Sequence, residues 1–74
     1  MDSRFIRVDG ARLRRLRRER ALSQQDVERL TGVAQATLSD LEQGKREARA
    51  STLRKLAELL HVKPKELIKE EDEG

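Results

Sequence analysis

Apolar residues recur at intervals of three and four along most of the chain, which is the spacing of the buried face of an amphipathic helix. This spacing predicts five short helices, at about residues 10–20, 23–31, 35–43, 51–60 and 64–68. Their buried positions are expected to be Leu13, Leu16, Val27, Leu30, part of Thr31, Leu38, Leu41, Leu53, Leu56, Ala57, Leu60, Leu67 and Ile68. Many Leu, Ala, Arg and Glu residues, with few β-branched or aromatic ones, favour helix over sheet. The predicted fold is an all-α, compact five-helix bundle with short loops.

Residues with capping preferences stand at the predicted helix ends. Asp9 and Ser23 precede the first and second helices as N-caps, and Asp26 completes a capping box with Ser23. Gly32 closes the second helix, where a positive φ is expected. Pro64 suits the first turn of the fifth helix. These residues support the boundaries that the apolar pattern predicts.

The composition of the chain excludes several classes of protein. Its 74 residues allow one domain with a small core, and it has no cysteine for a disulfide or a thiolate metal site. A single histidine argues against a histidine-based zinc site or a Ser/His/Asp triad. No acid/base pair or phosphate-binding loop is visible, so we predict a protein that is not an enzyme and that needs no cofactor or metal.

No segment of the sequence suits insertion into a membrane. No apolar run approaches the roughly 20 residues that span a bilayer. Charged residues stand near the N-terminus, where a signal peptide has an apolar stretch. We therefore expect a cytoplasmic protein with no membrane partner.

The charges are distributed unevenly along the chain. Residues 1–20 hold eight Arg against three acidic residues, whereas residues 69–74 hold one Lys and four acidic residues. A basic body suits a polyanion such as a nucleic acid, although the same charges would also suit a solvated helix face. The acidic tail is expected to be disordered.

The stretch QQDVERLTGVAQATLSDLEQ, residues 24–43, carries the most specific pattern in the chain. Two predicted helices flank a turn centred on Gly32, and apolar residues lie on their inner faces. The second helix of the pair presents a polar outer face. A helix-turn-helix needs this arrangement, because its recognition helix enters the major groove of DNA.

From about Gly10 to Ile68 the sequence resembles the helix-turn-helix domains of the lambda-repressor/Cro type, also called the XRE type. The matching elements are GARLRRLRRERALSQ, TGVAQATLSDLEQGKR and TLRKLAELLHVKPKEL, with no insertion between them. The resemblance divides the chain into an N-terminal extension (1–9), a DNA-binding domain (10–68) and the acidic tail (69–74). It implies a sequence-specific regulator of transcription that binds double-stranded DNA as a homodimer. Such a repressor would occupy an operator with its third helix in the major groove.

The resemblance also implies roles for individual residues. Base contacts would come from Gln35, Ala36, Ser39 and Asp40, and phosphate contacts from Gln24, Gln43, Lys45 and Arg46. Arg17 and Glu42 would form a partly buried structural salt bridge. For Gln35, Gln43 and Asp40 the alternative is a solvated polar residue with no ligand.

The sequence departs from the family pattern at four positions, and we draw expectations from them. Ala34 stands where Ser or Thr usually caps the recognition helix, and Glu28 where a small residue is usual. Ala48 replaces a common Pro, so a looser loop is expected there. His61 replaces the Gly that usually ends the fourth helix and is expected to have a structural role.

Alternative functions and the means of self-association stay open at this point. An antitoxin paired with a toxin would have the same fold. A protein-interaction adaptor is favoured by the lack of Lys and Arg between residues 33 and 43. The surface around the fifth helix, with Leu67 and Ile68, is the expected self-association face. Phe5 and Ile6 could pack on the bundle, join a dimer interface or make no contact.

Overall fold

The computed structural model describes residues 4–70. In this range the chain forms four α-helices, one 3₁₀ helix and two short strands. The elements in order are β1 (Phe5–Ile6), α1 (Gly10–Glu19), α2 (Gln24–Thr31), α3 (Gln35–Glu42), β2 (Ala48–Arg49), α4 (Ala50–Leu60) and the 3₁₀ helix Pro64–Leu67. The all-α class is confirmed, but the prediction of five helices is wrong.

The segment expected to be a fifth helix is a single 3₁₀ turn because it is short and its end is fixed. Its amides bond three residues back, from Glu66 to the Lys63 carbonyl at 2.9 Å and from Ile68 to the Lys65 carbonyl at 3.2 Å. At Ile68 the backbone is already extended and bridges to Val8. Only four residues therefore remain for helix, too few for an α-helix of useful length.

The helices enclose one core that is built from their apolar stripes. Helix α1 packs on α3, α2 packs on both α3 and α4, and α4 packs on the 3₁₀ helix. The side chains that are almost completely buried are Leu13, Val27, Leu38, Leu41, Leu56, Leu60 and Leu67. Leu67 is therefore part of the core and is not available for self-association, contrary to the expectation for that face.

Helix α2 buries Val27 and part of Thr31, as predicted, but not Leu30. Leu30 was expected in the core, but 51% of it is exposed. Val27 is the buried residue of α2, and Thr31, one turn further, is half-buried. At about 100° per residue, Thr31 lies closer than Leu30 to the face centred on Val27. Leu30 lies about 60°, one sixth of a turn, from Val27 around the helix. The prediction that Leu30 is buried is therefore wrong.

A small antiparallel sheet joins the residues before α1 to those before α4. Phe5 pairs with Arg49, and Ile6 pairs with Ala48, which is 3% exposed. Ala48 is thus fixed by pairing and burial, where a looser loop was expected. Ile6 packs on the core, whereas Phe5 is exposed with the Arg49 guanidinium 5.6 Å from its ring centre.

Two of the helix N-termini carry the caps that the sequence predicts. The Asp9 carboxylate accepts the Arg12 amide at 3.1 Å. Ser23 and Asp26 form a reciprocal capping box, each accepting the other's amide at 2.9 Å. The hydrogen bond that the Ser23 backbone donates is the main reason why the pKa of Asp26 lies below its ordinary value of 3.8.

A close approach between helices explains the glycine at the start of α1. Gly10 is buried, and its Cα faces the C-terminal carbonyls of α3. A Cβ at this position would lie 2.8 Å from the Glu42 carbonyl carbon and closer still to the Leu41 and Glu42 carbonyl oxygens. The first turn of α1 therefore rests directly on the last turn of α3.

Candidate nucleic-acid interface

The turn between α2 and α3 is fixed by its own hydrogen bonds. Gly32 has φ 81°, a conformation that favours glycine, and its amide closes α2 on the Glu28 carbonyl at 2.8 Å. The Thr31 hydroxyl donates to the Val27 carbonyl at 2.6 Å and accepts the Val33 amide at 3.1 Å. Val33 is buried. These contacts fix the orientation of α3 relative to α2.

Helix α3 has one buried face and one accessible face. Leu38 and Leu41 are 0% exposed and anchor the inner face. The residues expected to contact bases, Gln35, Ala36, Ser39 and Asp40, are exposed or half-exposed. The structure thus places these four on the side of α3 that faces away from the core, where Ala36 is exposed and the other three are partly exposed.

Side chains on the accessible face of α3 also contact one another. Gln43 donates from Nε2 to the Ser39 Oγ at 2.8 Å. Arg46 lies beside Asp40, with 3.6 Å between Nε and Oδ2, and donates from Nη1 to the Thr37 hydroxyl at 3.5 Å. Asp40 therefore has a cation beside it, which reduces the repulsion that a carboxylate would meet near phosphate.

Thr37 belongs to this surface although the sequence did not single it out. It is half-buried, and its hydroxyl accepts from Arg46. The available signal was its position one turn before Leu41 and three residues before Asp40, at the border of the two faces.

The first turn of α3 lacks a side-chain cap. Ala34 has the extended backbone of an N-cap residue, with φ −59° and ψ 141°, but no side-chain oxygen to accept the first amides. Uncapped amides at a helix N-terminus are donors that a phosphate oxygen can satisfy. This end of α3 therefore suits a polyanion.

Behind α3, a buried cluster of polar side chains fixes its C-terminal turn. Arg17 donates from Nε to Glu42 Oε2 at 2.6 Å and from Nη2 to Oε1 at 3.0 Å. It also donates from Nη1 to the Leu22 carbonyl at 2.7 Å. Gln24 donates from Nε2 to Glu42 Oε1 at 3.2 Å. One carboxylate thus joins α1, the start of α2 and the end of α3.

The two basic residues after α3 extend the accessible face. Gly44 turns the chain with φ 75°, and the Lys45 amide bonds to the Asp40 carbonyl at 2.8 Å. Lys45 and Arg46 are both exposed. Positive charge therefore stands at the C-terminal end of a helix that has no basic residue of its own.

Between residues 4 and 70 no three His, Cys, Asp or Glu side chains cluster as a metal site would require. Within the same range no helix has the length and apolar character needed to cross a bilayer.

Comparison with known proteins identifies the family of this chain. The family described as Helix-turn-helix (HTH_3) matches residues 13–67. An uncharacterized HTH-type transcriptional regulator, y4dJ of Sinorhizobium fredii, is 44% identical over 64 residues, which are 86% of this chain and 83% of the relative.

Two solved structures share the fold. The restriction-modification controller protein C.AhdI of Aeromonas hydrophila superposes with a TM-score of 0.74 at 36% identity, over 80% of this chain and 89% of the controller. An HTH_3 family transcriptional regulator of Vibrio cholerae gives a TM-score of 0.69 at 34% identity, over 76% of this chain and 32% of that protein. With its fixed turn and its accessible polar helix face, the chain belongs to the XRE-type helix-turn-helix family and is a DNA-binding transcriptional regulator.

Proposed function

We propose that the protein is a homodimeric repressor that occupies a palindromic operator with α3 in the major groove. The observation that carries this proposal is the accessible polar face of α3, which the Arg17–Glu42 pair fixes from the core side. A helix fixed in this way presents its side chains to base edges with little further ordering.

The side chains of this face suit direct readout of base edges. The amide of Gln35 can bond an adenine edge, and the methyl group of Ala36 can pack on that of a thymine. The hydroxyl of Ser39 can form a hydrogen bond with a base or a phosphate. Asp40 accepts from cytosine N4, and the neighbouring Arg46 offsets its charge.

The phosphate contacts would lie on both sides of α3. Lys45 and Arg46 stand at its C-terminal end, and Gln24 stands at the start of α2. Gln43, directly after α3, would contribute its side-chain amide to these phosphate contacts. Backbone contacts of this kind set the register of α3 without reading sequence.

A dimer is part of the proposal because one small domain makes few contacts with DNA. Two copies on a palindrome would place their α3 helices about 34 Å apart, one turn of B-DNA. Sedimentation of the protein with and without a two-half-site duplex would measure this stoichiometry. Equal affinity for a single half-site and a full palindrome would contradict the dimer.

Gln35→Ala tests the readout that we assign to α3. Operator sites are first selected from random duplexes, and affinities are then measured by fluorescence anisotropy. We expect operator affinity to fall by about 1–3 kcal/mol and selectivity at one base pair to relax, while affinity for unrelated DNA stays the same. The logarithm of wild-type affinity should fall with that of salt concentration, with a slope reporting about 3–6 phosphates per monomer.

Gln25→Ala is the matched control, because Gln25 is an exposed glutamine on α2. It should leave base preference unchanged. An unchanged base preference in Gln35→Ala would contradict the assignment of α3. Absence of DNA binding by the wild-type protein at low salt would instead favour the adaptor, and co-purification with a toxin would favour the antitoxin.

A further inference from the structure

A basic cleft opens beside the C-terminal end of α3. Its volume is about 230 Å³, and it is lined by Arg7, Val8, Gly44, Lys45, Arg46, Glu47 and Lys69. Four of these side chains are cationic and one is anionic, so the charge of the lining is 4 − 1 = +3. Two of the cations, Arg7 and Lys69, lie outside the helix-turn-helix.

We propose that this cleft binds a phosphate of the DNA backbone that flanks the bases read by α3, with Arg7 and Lys69 as additional phosphate ligands. The inference rests on the proposed function, because it assumes that α3 lies in the major groove. It extends the DNA-binding surface to both ends of the described chain.

Backbone hydrogen bonds hold Arg7 and Lys69 next to each other. The Lys69 amide bonds to the Arg7 carbonyl at 2.9 Å, and Val8 and Ile68 form an antiparallel bridge. The Asp9 amide bonds to the Leu67 carbonyl at 2.8 Å, and Leu67 is buried in the core. This wall of the cleft is therefore attached to the fold, and little backbone entropy remains to be lost when it binds an anion.

The opposite wall is attached to α3. The Lys45 amide bonds to the Asp40 carbonyl at 2.8 Å, and the positive φ of Gly44 turns the chain toward the cleft. After Glu47, Ala48 pairs with Ile6 of β1, so the loop returns to the strand that leads into Arg7. Both walls are thus joined at the sheet.

Arg46 makes the cleft continuous with the accessible face of α3. Arg46 lines the cleft, and its guanidinium lies 3.5 Å from the Thr37 hydroxyl and 3.6 Å from the Asp40 carboxylate. A DNA strand that passes over Thr37 and Asp40 would therefore have its next phosphates at the cleft. Several donors around one anion suit a phosphate, which accepts hydrogen bonds on more than one oxygen.

Lys69→Gln is the principal test, because Lys69 is exposed and its core-facing contacts are made by its backbone. Affinity for a selected operator is measured by fluorescence anisotropy from roughly 50 to 200 mM salt. Loss of one phosphate contact per monomer should make the log–log salt slope shallower by about 0.9 for each monomer, or about 1.8 for a bound dimer. Affinity should fall by a similar factor for operator and unrelated duplexes. Arg7→Gln should behave in the same way.

Arg54→Gln, on the exposed surface of α4, removes the same charge outside the cleft and is the matched control. Thermal denaturation of each variant verifies folding.

A second measurement uses operators that carry one neutral methylphosphonate at each backbone position in turn. One flanking position in each half-site should weaken binding of the wild-type protein and of Arg54→Gln, and should weaken binding of Lys69→Gln less, because one of the phosphate ligands is already lost.

Salt slopes of Lys69→Gln and Arg7→Gln equal to that of Arg54→Gln would overturn the inference. This result is expected if the cations of the cleft do not contact DNA. If Gln35→Ala relaxes base preference in the same experiments, only the cleft assignment fails. If Gln35→Ala has no effect but Lys69→Gln flattens the slope, the cleft binds a phosphate, but the assignment of α3 as the base-reading helix fails.

Discussion

At the scale of single residues, Arg17 has the most consequential contacts in the molecule. Its guanidinium bonds both oxygens of Glu42 and the carbonyl of Leu22. The side chains of Arg17 and Glu42 are only 10% and 4% exposed. A pair this buried stabilises little relative to an apolar pair, but removal of one partner leaves the other charge without compensation.

Arg17→Ala should therefore destabilise the fold strongly. Glu42 would keep only the Gln24 amide, and the Leu22 carbonyl would lose a donor. We expect the free energy of unfolding to fall by about 3–5 kcal/mol, measured by urea denaturation. Arg14→Ala, an exposed arginine on the same helix, should change it by less than about 0.5 kcal/mol. Unchanged stability with lost DNA binding would show that Arg17 contacts DNA instead.

At the scale of elements, the start of α3 combines good backbone geometry with a missing side chain. Ala34 has the conformation of an N-cap but offers no oxygen to the first amides of the helix. By contrast, the Ser23 and Asp26 box completes the cap of α2. Helix α3 thus lacks a side-chain N-cap, whereas α2, the other helix of the motif, has one.

Ala34→Ser should supply this cap. The hydroxyl can accept an amide of the first turn of α3, so we expect the free energy of unfolding to rise by about 1 kcal/mol. Chemical denaturation measures the change. Ala11→Ser, an exposed position inside α1, is the control and should lower stability slightly because Ser is a weaker helix former than Ala. Equal changes in the two variants would contradict a capping role for position 34.

The sequence predicted the elements well where a local rule decides them. The caps at Asp9 and Ser23 and the turn at Gly32 follow from side-chain chemistry and φ preference, and the structure confirms them. The error at Leu30 arose because two apolar positions cannot locate the centre of a stripe to within about 60°. The sheet was missed because two-residue strands pair through backbone alone and leave no side-chain pattern.

Gly10 and the 3₁₀ helix depend on tertiary contacts, which the sequence does not display. From the sequence alone, Gly10 is only a weak helix former. Its role in the close contact with the carbonyls of α3 becomes apparent in the structure. Pro64 suits either helix type, and only the bridge between Val8 and Ile68 limits the length of the last turn.

At the scale of the whole molecule, the two ends of the described chain are hydrogen-bonded to each other. The amides of Asp9 and Lys69 donate to Leu67 and Arg7 across the ends. The DNA-reading positions followed from the family resemblance, and their contacts with DNA remain predictions. Arg7 and Lys69 could not be grouped with Lys45 from sequence, because their proximity depends on this closure.

Hydrogen exchange measures how firmly the ends are joined. We expect the amides of Asp9 and Lys69 to exchange with a free energy within about 1 kcal/mol of global unfolding, because their bonds break only when the ends separate. The amide of Arg46, in the exposed loop after α3, should exchange much faster. Rapid exchange at Lys69 with slow exchange in α4 would show that the ends separate while the core stays folded.

The joined ends also determine how the protein can be handled. Because Arg7 and Lys69 both line the cleft, a dye or fused domain attached next to either residue would lie beside the same surface. Moving such a label from Arg7 to Lys69 would therefore leave that surface obstructed. Immobilisation through an engineered cysteine at Arg54, on α4, would anchor the molecule away from the cleft and leave both ends unmodified.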